Sequence, residues 1–169
     1  MKNLFILSVL IFAGSGMTRC KAKYSLNGST IPVEAKTISV LFFTNQAPLA
    51  GPTLAQKFTE KLRDVVSSQT NLALKQNAGD LNFEGYISEY SVAPVAIQNG
   101  DAAALNRLTI TVVVKYTNKF DKSKDFDQSF TRFSDFKATE TLSSVENAKI
   151  EDINKQLTED IFNKAFNNW

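Results

Sequence analysis

Arg107-Leu108-Thr109-Ile110-Thr111-Val112-Val113-Val114-Lys115-Tyr116 divides cleanly by parity, and that division decides the fold. Leu108, Ile110, Val112, Val114 and Tyr116 fall on one set of alternate positions. Arg107, Thr109, Thr111, Val113 and Lys115 fall on the other. Successive side chains of a strand point to opposite faces, so this stretch is a strand with one buried and one open side. Its β-branched residues suit a pleated, half-buried surface.

The same logic extends in both directions. Leu81, Phe83, Gly85 and Ile87 alternate with Asn82, Glu84, Tyr86 and Ser88. Further on the large residues are Tyr90 and Val92, so the alternation has shifted phase, and a β-bulge near Glu89 accounts for it. Residues 98–104 (QNGDAAA) read as a loop, 121–124 as a charged turn, and 125–136 (DFDQSFTRFSDF) as another long strand. Upstream, residues 36–43 (KTISVLFF) form a strand ending in a buried run, and 45–52 (NQAPLAGP) form a loop. Thr53 followed three residues later by Gln56 predicts a capping box. The helix it opens runs to about Gln69, with Leu54 or Ala55, Phe58, Leu62, Val65 and Val66 on its apolar stripe. Residues 71–76 alternate as a short strand, followed by a turn at 77–80. A final helix over about 144–168 faces inward with Ile150, Ile153, Leu157, Ile161 and Ala165, widened by Phe162 and Phe166.

This order predicts an α/β (α+β) two-layer sandwich: a mixed, mostly antiparallel sheet with two helices on one face. The first strand, the first helix and the next strand suit a right-handed parallel crossover. The other sheet face carries Thr, Arg, Lys and aromatics, to be solvated or covered by a partner.

The N-terminus has a different character. One positive charge at Lys2 precedes ten residues, 4–13 (LFILSVLIFA), interrupted only by Ser8, and small residues follow. That run is too short to span a bilayer and has the layout of a secretory signal. Cys20, the only cysteine, comes directly after it, where bacterial envelope proteins are cut and acylated. Arg19 stands where such signals have a small residue, and cleavage after Ser15 is the alternative, leaving a free thiol. The resulting division is a lipoprotein signal peptide over 1–19, a tether over 20–35, and a single domain over 36–169. The formal charge of +2 belongs to the leader: without Lys2 and Arg19, 17 bases face 17 acids. A balanced body gives no electrostatic case for nucleic acid.

Catalytic chemistry finds little purchase. The chain contains no histidine, which excludes Ser-His-Asp and Cys-His catalysis and histidine-based metal sites. Neither G-x-G-x-x-G nor G-x-x-x-x-G-K-[ST] occurs. The acid pairs Asp125/Asp127 and Glu159/Asp160 read as solvated faces. The expectation is no enzyme, no cofactor and no metal. Arg107 and Lys115 share a strand face, and Arg132 on the next strand is expected near them. Such a face can pair guanidinium and ammonium groups with the phosphates of an anionic amphiphile. The competing reading is a solvent face on which Thr is simply a good strand former.

Several stretches resemble the LptE lipoproteins of lipopolysaccharide assembly. They are Tyr24-Ser25-Leu26-Asn27-Gly28-Ser29-Thr30-Ile31-Pro32, Lys36-Thr37-Ile38-Ser39-Val40, Asn45-Gln46-Ala47-Pro48-Leu49 and Pro52-Thr53-Leu54. They continue with Gly79-Asp80-Leu81-Asn82-Phe83-Glu84-Gly85, Tyr90-Ser91-Val92-Ala93-Pro94-Val95-Ala96 and Ala104-Leu105-Asn106-Arg107-Leu108-Thr109-Ile110. The closing Asp160-Ile161-Phe162-Asn163-Lys164-Ala165 completes the likeness, which runs in order over nearly the whole chain beyond Cys20. The resemblance implies a non-enzymatic outer-membrane lipoprotein, lipid-anchored at Cys20 and facing the periplasm. It further implies that the protein plugs and helps assemble the LptD β-barrel and binds lipopolysaccharide. Arg107, Lys115 and Arg132 are then the candidate lipopolysaccharide contacts. The alternative role is a periplasmic lipoprotein that scaffolds or chaperones another envelope complex.

Overall fold

A computed structural model describes residues 31–95 and 104–167. Six strands form one sheet: β1 (Thr37–Val40), β2 (Thr44–Asn45), β3 (Ala73–Lys75), β4 (Leu81–Val95), β5 (Leu105–Asn118) and β6 (Phe126–Lys137). Helix α1 (Leu54–Gln69) lies between β2 and β3 in the chain, and α2 (Leu142–Phe166) closes it. The sheet order is β3-β1-β4-β5-β6, with β2 pairing with β4 beyond the end of β1. The pairs β1–β3, β1–β4 and β2–β4 are parallel, and β4–β5 and β5–β6 are antiparallel. This is the mixed two-layer α+β architecture that the alternation predicts.

Parity holds along β5. Leu108, Ile110, Val112, Val114 and Tyr116 are buried beneath the helices. They meet Leu81, Phe83, Ile87 and Tyr90 of β4 and Phe130 and Phe136 of β6. From the helix side come Phe58, Leu62 and Val66 of α1 and Ile153, Leu157, Ile161 and Phe166 of α2. Aromatic rings organise one end of this core. Phe83 and Tyr116 lie 4.8 Å apart between centroids, and Phe166 meets both edge-on at 6.1 and 5.9 Å. Such tilted and edge-to-face pairs add stabilisation beyond burial alone. Burial is also the main reason the Tyr116 hydroxyl is pushed up from its ordinary pKa.

The predicted bulge is present: the β4–β5 register shifts between Ile87 and Glu89. Ile87 faces the core opposite Val112, Ser88 is the extra residue, and Glu89 emerges on the open face opposite Thr111. Tyr90 then returns to the core, where its hydroxyl donates to Glu146 of α2 at 2.6 Å.

Three local expectations are corrected. The strand expected over 36–43 stops at Val40, Phe42 of its expected buried run is exposed, and Thr44–Asn45, at the start of the expected loop, pair as β2. Thr53 precedes α1 in a helical rather than extended conformation (φ −89°, ψ −9°), and its side chain caps nothing. The first turn is satisfied by backbone bonds, Leu54 N–H to the Gly51 carbonyl and Lys57 N–H to the Thr53 carbonyl. Gln56 bonds Glu60 instead of reaching back. The last helix begins at Leu142, two residues earlier than its apolar period suggests, and ends at Phe166. The predicted loop at 98–104 lies outside the described residues except for Ala104, and Asn168, Cys20 and the leader lie outside them entirely.

The passage from β3 to β4 accounts for the Gly79-Asp80 pair. These parallel strands flank β1 on either side, so the chain must cross β1, and it does so on the face away from the helices. Gly79 N–H donates to Ser39 Oγ at 3.0 Å, and Asp80 N–H to Thr37 Oγ1 at 3.0 Å. The Asp80 carboxylate accepts from Lys36 N–H, Thr37 N–H and Thr37 Oγ1–H at 3.1, 3.1 and 2.9 Å. A Cβ on Gly79 would lie 2.5 Å from Ser39 N and 2.7 Å from the Ile38 carbonyl carbon. Only glycine lets the backbone approach this closely.

Candidate functional site

The three nominated bases do not form one site. Arg107 and Lys115 share the open face of β5, but eight residues separate them, roughly 27 Å along a strand. Arg132 of β6 lies opposite Ile110, whose side chain is in the core, so Arg132 belongs to the helix-covered face. The expectation that it joins the other two is corrected by this register.

Each base is already engaged. Arg107 grips Asp135 in a two-point bridge, Nε to Oδ1 at 2.7 Å and a terminal nitrogen to Oδ2 at 2.9 Å. Its guanidinium carbon sits 3.6 Å from the centroid of the Phe133 ring, a cation–π contact. Lys115 Nζ lies 2.8 Å from Glu84 Oε1, and the register sets Asp127 on its other side. Arg132 bridges to Asp160 of α2 at 2.5 and 2.8 Å, tying the outermost strand to the helix layer. Hydrogen bonding to these carboxylates raises the pKa of all three bases, and Arg107 in turn lowers that of Asp135. A phosphate reaching any of them competes with a carboxylate for the base or shares its remaining N–H donors.

The middle of the open face has a different character. Between Arg107 and Lys115 run Thr109, Thr111 and Val113, flanked by Tyr86, Glu89 and Ser91 of β4 and by Ser129, Thr131 and Phe133 of β6. Glu89 Oε2 accepts from the Thr111 hydroxyl at 3.0 Å, and Oε1 from the Ser91 hydroxyl at 2.9 Å. Thr111 shares a further hydrogen bond with Thr131 at 2.9 Å. No cation pairs with Glu89 among the described residues. The sequence signal for this arrangement was the phase shift at Glu89, which marks a bulge but does not say what the re-aimed side chain meets.

Two surface depressions stand out. One, of about 390 Å³, lies on the open face among Leu41, Phe42, Tyr86, Val113, Lys115 and Asp127. The other, about 360 Å³, lies between the helices among Lys57, Lys61, Asp64, Glu151 and Asn154. Asn154 Oδ1 is buried there without a hydrogen-bond partner. Among the described residues no group of three or more acidic, histidine or cysteine side chains can hold a metal ion. None of the described helices is long and apolar enough to cross a membrane.

A two-layer domain with one covered and one open sheet face, and its polar groups tied to one another, presents surfaces for contact. The chain belongs to the LptE family: the family model, described as lipopolysaccharide-assembly, matches residues 35–165. The match takes in the whole sheet and nearly all of both helices. No curated protein matches the chain by sequence. Among solved structures, a hypothetical protein from Chlamydia trachomatis shares the fold with a TM-score of 0.52 at 8% identity, over 78% of this chain and 98% of that one. A minor lipoprotein from Acinetobacter baumannii aligns at TM-score 0.49 and 14% identity, over 77% of this chain and 91% of that one. Rare lipoprotein B from Shewanella oneidensis aligns at 0.46 and 12%, over 72% and 89%.

Proposed function

We propose that this protein is a non-enzymatic, lipid-anchored subunit of the lipopolysaccharide-assembly machinery. It faces the periplasm from the outer membrane, packs inside and helps assemble an LptD-type β-barrel, and contacts lipopolysaccharide. The observation that carries this reading is the family match over residues 35–165. An anchor at Cys20 is consistent with it, since residues 4–13 have the layout of an export signal. Mass spectrometry of the mature N-terminus checks the anchor: a diacylated or triacylated Cys20 is expected, and a free thiol removes that part.

Purification of the full-length protein in mild detergent tests the central claim. A large outer-membrane β-barrel recovered in stoichiometric amount is the expected result. Recovery of a different envelope complex instead moves the protein to the scaffold or chaperone reading. Lipopolysaccharide contact through Arg107, Lys115 and Arg132 is made at three separate places, at each of which a phosphate competes with, or shares the base with, a carboxylate. Changing all three to Glu is expected to weaken lipopolysaccharide binding, and unchanged binding removes those residues from the assignment.

A further inference from the structure

We infer that the centre of the open sheet face, around Glu89, is a docking surface for a protein partner that presents an Arg or Lys side chain among apolar ones. The inference rests on the barrel-partner reading and adds which face meets the partner and with what chemistry.

Three observations carry it. The first is the bulge. Had the alternation of β4 continued from Ile87, Glu89 would point into the core; the extra residue Ser88 turns it outward. Bulges commonly re-aim a side chain beside functional surfaces. The second is the state of that carboxylate. Both its oxygens are held by hydroxyl donors, from Thr111 and Ser91, and Thr111 is itself buried and bonded to Thr131. The group is thereby fixed in direction, yet it has no cation among the described residues, unlike Glu84, Asp135 and Asp160.

The third is the charge of the face. From the Arg107 row to the Lys115 row, β4, β5 and β6 direct four carboxylates outward, Glu84, Glu89, Asp127 and Asp135, against Arg107 and Lys115, with Lys137 one row beyond. Around Glu89 itself, midway between the bases that end this stretch, a basic group is favoured over a phosphate. Apolar contact area lies alongside. Phe133 and Phe42 are 46% and 57% exposed, and Tyr86 and Val113 line the 390 Å³ depression. An oriented acid beside exposed rings fits the aliphatic stem and charged head of an Arg or Lys.

The test uses the full-length lipoprotein in detergent. Glu89→Lys is compared with wild type, with Glu89→Gln, which keeps the side-chain shape and one accepting oxygen while its NH2 donates to the second hydroxyl and the charge is lost, and with Glu159→Lys on the exposed side of α2. A photo-crosslinking residue at Ser129 reports what lies over the face. Barrel recovery should fall about tenfold in Glu89→Lys and by less in Glu89→Gln, and stay unchanged in Glu159→Lys. The Ser129 crosslink should identify a barrel peptide containing Arg or Lys. If wild type recovers no barrel, both the functional reading and this inference fail. If Glu89→Lys and Glu89→Gln recover the barrel at wild-type yield, only the docking surface is overturned. If Glu89→Lys instead gains binding to lipid A vesicles while holding the barrel normally, the face belongs to phosphates and the inference is likewise overturned.

Discussion

Replacing Gly79 by alanine places a methyl group where the chain passes over β1. The new Cβ lies 2.5 Å from Ser39 N, 2.7 Å from the Ile38 carbonyl carbon and 2.7 Å from Leu81 O. All three are backbone atoms of strands in the sheet, so no side chain can swing aside. Reaching an ordinary 3.4 Å contact with Ser39 N requires the crossing to lift by about 0.9 Å. A lift of that size stretches the 3.0 Å bonds from Gly79 N–H and Asp80 N–H past hydrogen-bond range. Overpacking against rigid backbone costs about 1–3 kcal/mol, and the lost neutral bonds add about 1 kcal/mol each. A total of about 3–5 kcal/mol, with a urea m-value of about 1.5–2 kcal/mol/M, lowers the unfolding midpoint by roughly 1.5–3 M. Gly51→Ala is the internal control, because nothing lies within 4 Å of its Cβ. Urea titration followed by circular dichroism reads both. A Gly79→Ala midpoint within about 0.3 M of wild type refutes the crossing as described.

The remaining predictions concern single side chains. Asn154→Leu removes the buried Oδ1 that has no partner and should raise stability by about 1 kcal/mol; a lower melting temperature refutes that account. Acid should destabilise the domain through Asp80, Asp121 and Asp135, whose pKa values are held down by the Lys36 amide, the Ser123 hydroxyl and Arg107 respectively. Each binds its proton more readily when unfolded, so its contribution is complete above the ordinary carboxylate value of 3.8 and fades as pH falls through the lower folded value. Asp80→Asn should flatten that acid limb in a pH series of urea midpoints, and an unchanged limb counts against it. Because Arg132 and Asp160 are 46% and 30% exposed, a double-mutant cycle should give a coupling of no more than about 1 kcal/mol. A value above about 2 kcal/mol shows the bridge to be more than a surface tie.

Much of the architecture was legible because period two is a strong signal. The inward sets of β4 and β5 and the bulge follow from the order of large and small residues alone, as do the apolar stripes of both helices. Caps are less legible. The Thr53–Gln56 spacing suits a capping box, but Gly51 and Pro52 lead the chain into α1 already turned, so the backbone satisfies the first amides and leaves Thr53 without a capping role. The crossing of β1 was read only as a turn. Gly79 and Asp80 are ordinary turn residues, and nothing local shows that another strand lies beneath them.

The misplaced Arg132 shows where single-strand reasoning stops. Within β6, Phe126, Phe130 and Phe136 set the inward parity, and Arg132 shares it. Its placement was therefore decidable from its own strand, yet its charge argued for the open face, and charge was the wrong guide. A long base at the sheet margin can stay on the core side when a helix offers a carboxylate, as Asp160 does at 2.5 Å. Such a charge on the inner side of the outermost strand also discourages that strand from pairing with another chain. Glu89 is the converse case: its parity from Ile87 argued for the core, and one inserted residue sent it outward. Taken together, the two shifts leave the centre of the open face, between Arg107 and Lys115, more acidic than a tally of its bases suggested. That is why the electrostatics around Glu89 favour a basic protein partner at the centre of this face, leaving phosphate to the bases at its two ends.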